Sequence, residues 1–217
     1  MEIKMGKGEV IRFLSRIGVD TRFVSVMEDS IIINNLRFSR FSRKREELFK
    51  KHYPSMKVVR SKIFQMICSR VSRVLSSELK PHQRILIKEG DDPLSYTLYA
   101  VLEPYTRKYG VKLVSRGGFD VIACPLTLDH IIANAIEKMI NGKLIAGPPW
   151  EDGRGRLLYP LSKVPVAWIE RWLGVGPIKV TRDAVVREFI GFFEEVFPQF
   201  RENMLKSLNY IRDRGFI

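Results

Sequence analysis

The sequence predicts an α/β fold with a mainly parallel sheet, preceded by a small basic α+β appendage. From Ile85 onward, short apolar runs alternate with amphipathic segments of helical period, which is typical of parallel strands connected by helices. The charge is uneven: the first 80 residues hold 18 Lys and Arg against 8 Asp and Glu, and the remainder holds 19 against 16. With 217 residues, 45% of them hydrophobic, the chain is long enough to bury a core.

The appendage, residues 1–55, is predicted from three patterns. Apolar residues recur on one helical face between Gly8 and Ile17. Two runs rich in β-branched residues, Arg22–Val26 and Ser30–Leu36, predict paired strands. A basic stretch then leads into a short helix that ends near His52.

The larger part, residues 56–217, is predicted to begin with a long amphipathic helix and to continue with alternating strands and helices. The predicted strands are Ile85–Ile87, Lys112–Val114, Phe119–Cys124 and Leu157–Tyr159. The predicted helices are Val58–Leu79, Ser95–Tyr109, Thr127–Asn141, Pro165–Leu173, Asp183–Phe197 and Gln199–Arg212, and Gly147–Gly155 is predicted as a loop.

Composition limits the class of protein. The net charge of +13 and the pI of about 9.9 indicate a polyanionic partner, either nucleic acid or an acidic protein. Two cysteines, Cys68 and Cys124, are too few for a disulfide framework, and the three scattered histidines predict no metal site. No signal peptide is visible and no apolar run reaches the ~18 residues of a membrane helix, so we expect a cytoplasmic protein with no membrane partner.

A basic block in the appendage is the predicted nucleic-acid contact. Arginines bind phosphates through paired N–H donors, and aromatic rings stack on unpaired bases. The alternative is a solvated face whose phenylalanines, Phe38, Phe41 and Phe49, belong to the core. The predicted RNA-binding residues are Arg37, Arg40, Arg43, Lys44, Arg45, Lys50 and Lys51.

The turn Gly90–Ser95 follows a predicted strand and precedes a predicted helix, which is where a phosphate loop would lie. Asp91 and Asp92 would repel a phosphate unless a cation such as Mg²⁺ lay between them. The other interpretation is that Asp92 caps the helix, with Pro93 at its first position. We expect the cap.

Cys124 ends a predicted strand and precedes Pro125, which is where an α/β fold places its site. A thiol at this position could be reactive, or it could simply be packed in the interior.

The order of these segments resembles the PP-loop ATP pyrophosphatase superfamily, in particular its tRNA thiolase branch. The turn Gly90–Ser95 stands where that family has SGGxDS, and only Ser95 matches. Thr127–His130 stands at the family's later acidic motif, with Asp129 kept. Tyr159–Pro165 looks like its "PL…VP" segment, and Phe197–Leu205 is similar to its C-terminal helix.

The resemblance implies a Rossmann-like sheet of the PP-loop (HUP) type, shortened because only about 23 residues separate Ser95 from the strand at Phe119. It implies a vestigial nucleotide site at Gly90, Asp91, Asp92, Ser95 and Asp129. The family's pyrophosphate-binding glycines, its catalytic cysteine pair and its zinc-ribbon cysteines have no counterpart here. Cys124 would be the catalytic residue if the protein were active.

The leading hypothesis is therefore a catalytically degenerate PP-loop protein that binds tRNA or another RNA, as the non-catalytic partner of an active thiolase subunit or as a dimer. No cofactor is expected. The second hypothesis is an active ATP-dependent tRNA-modifying enzyme that transfers sulfur and uses Mg-ATP. The third is a basic scaffold that binds an acidic protein.

Overall fold

Two β-sheets organise the chain in the computed structural model, which describes residues 6–87, 90–143, 148, 151–152 and 155–214. The first sheet has the order β1-β2-β3, with β1 (Val24–Val26) antiparallel and β3 (Lys57–Val59) parallel to β2 (Ser30–Ile33). Its apolar runs are buried: Ile31, Ile32 and Ile33 are each at most 1% exposed. This sheet is the framework of the basic N-terminal part.

Three helices and a 3-10 turn complete the N-terminal part. They are α1 (Lys7–Arg16), α2 (Leu36–Ser39), α3 (Arg43–His52) and the turn Thr21–Phe23. The Asn35 and Ser42 side chains cap α2 and α3, because each accepts a hydrogen bond from a backbone N–H in the first turn. Leu14 of α1, Phe49 of α3 and the intervening Phe41 fill one core with the sheet.

The second sheet is mainly parallel and confirms the predicted fold class. Its strands are β4 (Arg84–Ile87), β5 (Lys112–Val114), β6 (Val121–Ala123), β7 (Glu151–Asp152) and β8 (Gly155–Leu158). The order is β5-β4-β6-β8-β7, in which β5, β4, β6 and β8 are parallel and β7 is an antiparallel edge strand. This is a Rossmann-like α/β sheet with helices as the connections.

The helices of the second part form two groups. The elements are α4 (Lys62–Glu78), α5 (Pro93–Leu102), α6 (Tyr105–Lys108), α7 (Leu128–Ile140), α8 (Val166–Leu173), α9 (Ala184–Val196) and α10 (Phe200–Asp213). Helices α4, α5 and α8 share a core with Ile85, Val121 and Leu158 of the sheet. Helices α7, α9 and α10 form a separate apolar cluster. Within the described ranges, none of these helices combines the length and hydropathy that a membrane span requires.

A buried ionic network joins the two parts. Glu103 has no exposed surface, and its carboxylate lies 2.5 and 2.6 Å from the Arg107 guanidinium and 2.8 Å from Lys7 Nζ. The carboxylate also accepts a hydrogen bond from the backbone N–H of Val26 in β1 at 3.0 Å, and Arg107 donates to the Val24 carbonyl at 2.8 Å. The first sheet is thus fixed against α5 and α6.

Two strands depart from the sequence prediction. Val58 and Val59 were predicted to begin the long helix, but they form β3, and the helix begins at Lys62 behind the cap Ser61. The first sheet therefore includes residues on both sides of the predicted boundary at residue 55. Glu151–Asp152, predicted as loop, form β7, and most of the remaining predicted loop lies outside the described residues.

The order of the described strands has a switch point. The chain leaves β4 for β5 on one side and then crosses to β6 on the other, so the order reverses between β4 and β6. In such sheets ligands bind beyond the carboxyl ends of the strands at this switch point. Ile87 pairs with Ala123, so the turn Gly90–Asp92 and Cys124 follow neighbouring strand ends at the same edge.

Candidate functional site

Asp92 caps helix α5, as the sequence predicted. Its Oδ1 accepts hydrogen bonds from the backbone N–H groups of Leu94 at 2.9 Å and Ser95 at 3.0 Å. Pro93 occupies the first helical position, where its missing N–H costs nothing. These amides are the donors that a phosphate would need at this helix start.

Gly90 lies against the Asp92 carboxylate. A Cβ added at Gly90 would lie 2.9 Å from Asp92 Oδ2 and 3.1 Å from Ser95 Oγ. Burial opposes ionisation of Asp92, but hydrogen bonds from the Ser95 hydroxyl and the two amides outweigh it and hold the pKa of the carboxyl below its ordinary value. An ionised side chain therefore accepts the hydrogen bonds of two amides in the first turn of α5.

Asp129, one of the predicted nucleotide-site residues, is paired within the fold. It is 3% exposed, its Oδ2 accepts a hydrogen bond from the Val166 amide at 2.7 Å, and its Oδ1 pairs with Arg201. Arg201 also lies 2.7 Å from Glu194. This carboxylate joins the starts of α7 and α8 to α10, so both of its oxygens already have partners.

Cys124 lies at the carboxyl end of β6, where its backbone N–H donates to the Leu158 carbonyl at 2.8 Å. Its half-buried side chain packs with Ile122, Leu157 and Tyr159. Among the residues that the structure describes, no three His, Cys, Asp or Glu side chains come together as a metal site.

A basic groove of about 710 Å³ opens on the N-terminal part, between α2, α3 and the start of α4. Five of its lining residues are cationic, and three of these belong to the predicted RNA-binding set. The groove is lined by Leu36, Arg40, Phe41, Ser42, Arg43, Arg45, Arg60, Lys62 and Gln65. A concave surface with this density of positive charge attracts phosphates.

The fold fixes the arginines of the groove. Arg40 adopts a left-handed backbone conformation (φ 54°), and Arg45 donates to its carbonyl oxygen. Arg60 donates to Glu46 Oε2 and to the Phe41 carbonyl, each at 2.8 Å. Burial opposes the charge on Glu46, but hydrogen bonds from Arg60 and Lys50 prevail, so the pKa of Glu46 is lowered.

The three phenylalanines of the basic block have different environments. Phe41 and Phe49 are 1% and 0% exposed and belong to the core, so stacking on bases is ruled out for both. Phe38 is 54% exposed, and the Arg37 guanidinium lies 5.9 Å from its ring centroid. The basic block thus offers one aromatic face for a base.

The remaining predicted residues lie outside the groove. Lys44 and Lys51 are exposed on α3, and Lys50 pairs with Glu46 at 3.3 Å. The sequence prediction missed Arg60 and Lys62, which lie beyond β3. The available signal in the sequence was that these two cations flank Ser61, the residue that caps the start of α4.

A second cleft, of about 680 Å³, lies between α7 and the segment that leads into α9. His130, Asn134, Glu137 and Arg182 contribute polar groups to it. His130 Nδ1 is 2.7 Å from the Thr127 hydroxyl, and burial lowers the pKa of the imidazole. This second cleft is much less basic than the groove on the N-terminal part.

The chain is similar in part to proteins that are already known. No protein-family model matches the chain. A protein of Methanocaldococcus jannaschii named as a probable sulfurtransferase is 27% identical over 95 residues, which are 43% of this chain and 28% of that protein. The solved structure of the U34-tRNA thiolase NcsA from Methanococcus maripaludis, with its 4Fe-4S cluster, superposes with a TM-score of 0.48 at 11% identity, covering 74% of this chain and 83% of that one. The chain spans less than a third of the length of the sulfurtransferase that it resembles.

Proposed function

We propose that this protein binds RNA, most specifically tRNA, through the basic groove, and that it acts in or beside tRNA thiolation without catalysing it. The observation that carries the proposal is the convergence of Arg40, Arg43, Arg45, Arg60 and Lys62 on one concave surface. Phosphate contacts of this kind supply most of the affinity of a nucleic-acid-binding protein.

The groove is suited to phosphate because few of its charges are neutralised. Arg60 and Arg43 contact the single carboxylate of Glu46, at 2.8 and 3.2 Å. No ion pair involving Arg40, Arg45 or Lys62 occurs among the described residues. Exposed Leu36 lines the groove, and exposed Phe38 lies against Arg37 nearby in the sequence, which favours an RNA with unpaired bases over a regular duplex.

The link to thiolation rests on the sequence motifs and on the sulfurtransferase relative. The chain spans only 28% of that relative, so its activity is carried over as part of the proposal. The Asp92 side chain supports the non-catalytic role. Its carboxylate already accepts hydrogen bonds from the Leu94 and Ser95 amides, which a nucleotide phosphate would need. Mg-ATP would have to displace an ionised side chain from the start of α5.

The binding test uses an unmodified tRNA transcript and a salt series. We expect affinity to fall steeply with salt, with a slope of roughly 0.7 to 0.9 per phosphate contact on logarithmic axes. Arg40→Gln and Lys62→Gln should each weaken binding and reduce that slope by about one contact. Arg187→Gln on α9 removes the same charge far along the sequence from the groove and should change neither.

Two results would refute this function. One is tRNA affinity that does not respond to salt. The other is an equal loss in the Arg40, Lys62 and Arg187 variants, which would indicate a non-specific charge effect. Calorimetry with Mg-ATP separates the enzyme alternative, since measurable heat of nucleotide binding by the wild-type chain would contradict the non-catalytic role.

A further inference from the structure

Helix α9 carries apolar side chains on two faces. Val186 and Ile190, 0% and 8% exposed, pack against α7 and α10 in the apolar cluster. A second stripe faces solvent, and a helix that is apolar beyond its core-facing side normally has a partner on the other side. The stripe consists of Val185, Phe189, Phe192 and Val196, which are 58%, 36%, 60% and 50% exposed.

The stripe reads the same in both directions. Its residues are Val, Phe, Phe and Val, separated by four, three and four positions. That spacing places the four on one narrow seam of a helix, as in coiled coils. If two such helices lie antiparallel, the phenylalanines meet at the centre and the valines meet at both ends. A two-fold interface requires this kind of self-complementary surface.

We propose that this face of α9 binds a second copy of the chain, in an antiparallel α9–α9 contact about a two-fold axis. Val185 then packs against Val196 of the partner subunit, and Phe189 packs against Phe192 of the partner subunit. The contact is independent of the RNA-binding groove.

The exposed area sets the strength of this dimer. At about 200 Å² for a fully exposed phenylalanine side chain, Phe189 and Phe192 leave roughly 190 Å² open per copy. Even with the valines, two copies bury less than the roughly 1,200 Å² at the low end of standard interfaces. We therefore expect a weak dimer with a dissociation constant in the micromolar to millimolar range, roughly 10 μM to 1 mM.

Two glutamates provide a signature of the antiparallel arrangement. Glu188 and Glu195 follow each other by one heptad on the same side of the stripe, away from the core. In the antiparallel pair, Glu188 of one copy lies beside Glu195 of the partner subunit, and these like charges weaken the contact. Replacing one of the two glutamates with lysine should create two opposite-charge pairs, related by the two-fold axis.

The experiment is sedimentation equilibrium of the full chain at concentrations up to about 1 mM. Wild type should dimerise, and Phe192→Ser should raise the dissociation constant at least about tenfold, because the change removes two aromatic contacts per dimer. Tyr210→Ser, at a residue that is 57% exposed on α10, is the matched control and should leave association unchanged. Circular dichroism verifies that each variant is folded.

The charge variants test the geometry. Glu188→Lys should tighten the dimer about threefold to tenfold, and Glu188→Lys combined with Glu195→Lys should return it toward the wild-type value. A monomer at every concentration would overturn the proposal, and would leave the face to another protein. Equal tightening by the single and double charge variants would overturn the antiparallel arrangement.

Discussion

The Asp92 carboxylate accepts the backbone N–H of Ser95 at 3.0 Å, in the position that a bound phosphate would take at the start of α5. A side chain of this chain thus supplies the negative charge that the N-terminus of a helix attracts. The role of Asp92 as a helix cap can be tested through its effect on the free energy of unfolding.

Replacing Asp92 with alanine should lower the free energy of unfolding by about 1 kcal/mol, because two amides of α5 lose their acceptor. Asp92→Ser should retain most of the stability, since a hydroxyl also caps. Urea denaturation measures both. Asp91→Ala is the neighbouring control, and it should change stability by less than about 0.5 kcal/mol. Equal losses at both positions would contradict the capping role.

Removal of the buried carboxylate of Glu103 should be far more costly. Glu103→Gln leaves Arg107 and Lys7 without their counter-charge, and we expect a loss of about 3 kcal/mol or more. Denaturant unfolding followed by circular dichroism gives the value. Glu9→Gln, an exposed glutamate of α1, should be nearly neutral, and a similar effect of both changes would argue against the network.

Stability should decrease in acid. For Glu103, burial opposes ionisation, but hydrogen bonds and charge from Arg107 and Lys7 lower the pKa below the ordinary 4.5. Glu46 is lowered in the same direction. The unfolded chain then binds more protons as pH falls, so this stabilisation is present above about pH 4.5 and is lost as the pH drops through the lower folded-state values. Urea denaturation from pH 7 downward should show the decline, with a shallower slope in Glu103→Gln.

Phe38→Ala should weaken binding of a single-stranded RNA by about 1–3 kcal/mol, if one base stacks on the exposed ring. Its effect on the free energy of unfolding should be small, because the ring is more than half exposed. Phe41→Ala should instead mainly affect folding, and we expect it to lower the free energy of unfolding by about 3–5 kcal/mol. Fluorescence anisotropy with single-stranded and duplex RNA distinguishes stacking from charge attraction, since only the single strand should respond to the Phe38 change.

Cys68 should resist alkylation in the folded protein. Burial raises the pKa of its thiol well above the usual range, which removes the reactive thiolate at neutral pH. Cys68 is partly exposed, so mass spectrometry after iodoacetamide treatment should find it modified more slowly in native buffer than in urea. Equal labelling rates in native buffer and in urea would contradict the raised pKa.

The sequence predicted the elements whose signals are local. Alternation of strands and helices, the cap at Asp92 and the basic block could all be recognised within a few neighbouring residues. Strand β3 was missed because Val58 and Val59 continue the apolar spacing of α4, and only their pairing with β2 makes them a strand. Glu151 and Asp152 carry no apolar pattern, and β8 alone defines their strand.

In the candidate site too, the sequence indicated local features but not the contacts between distant residues. The contact between Asp129 and Arg201 joins residues 72 positions apart, so no local pattern could indicate that the Asp129 carboxylate is paired within the fold. Arg60 enters the groove because Glu46, 14 residues earlier, fixes its guanidinium there. Charge density in the sequence indicated the stretch that carries the groove, and tertiary pairing decided which cations line it.

The bridge between Glu103 and β1 also bears on how the chain is made. Glu103 follows Val26 by 77 residues. The ribosome must therefore synthesise α5 and Glu103 before the backbone N–H of Val26 has its acceptor and the first sheet can pack against α5. During translation the surface of the first sheet that contacts Glu103 therefore stays exposed until Glu103 has emerged from the ribosome. After docking, the two sheets should melt in a single thermal transition, which differential scanning calorimetry can record.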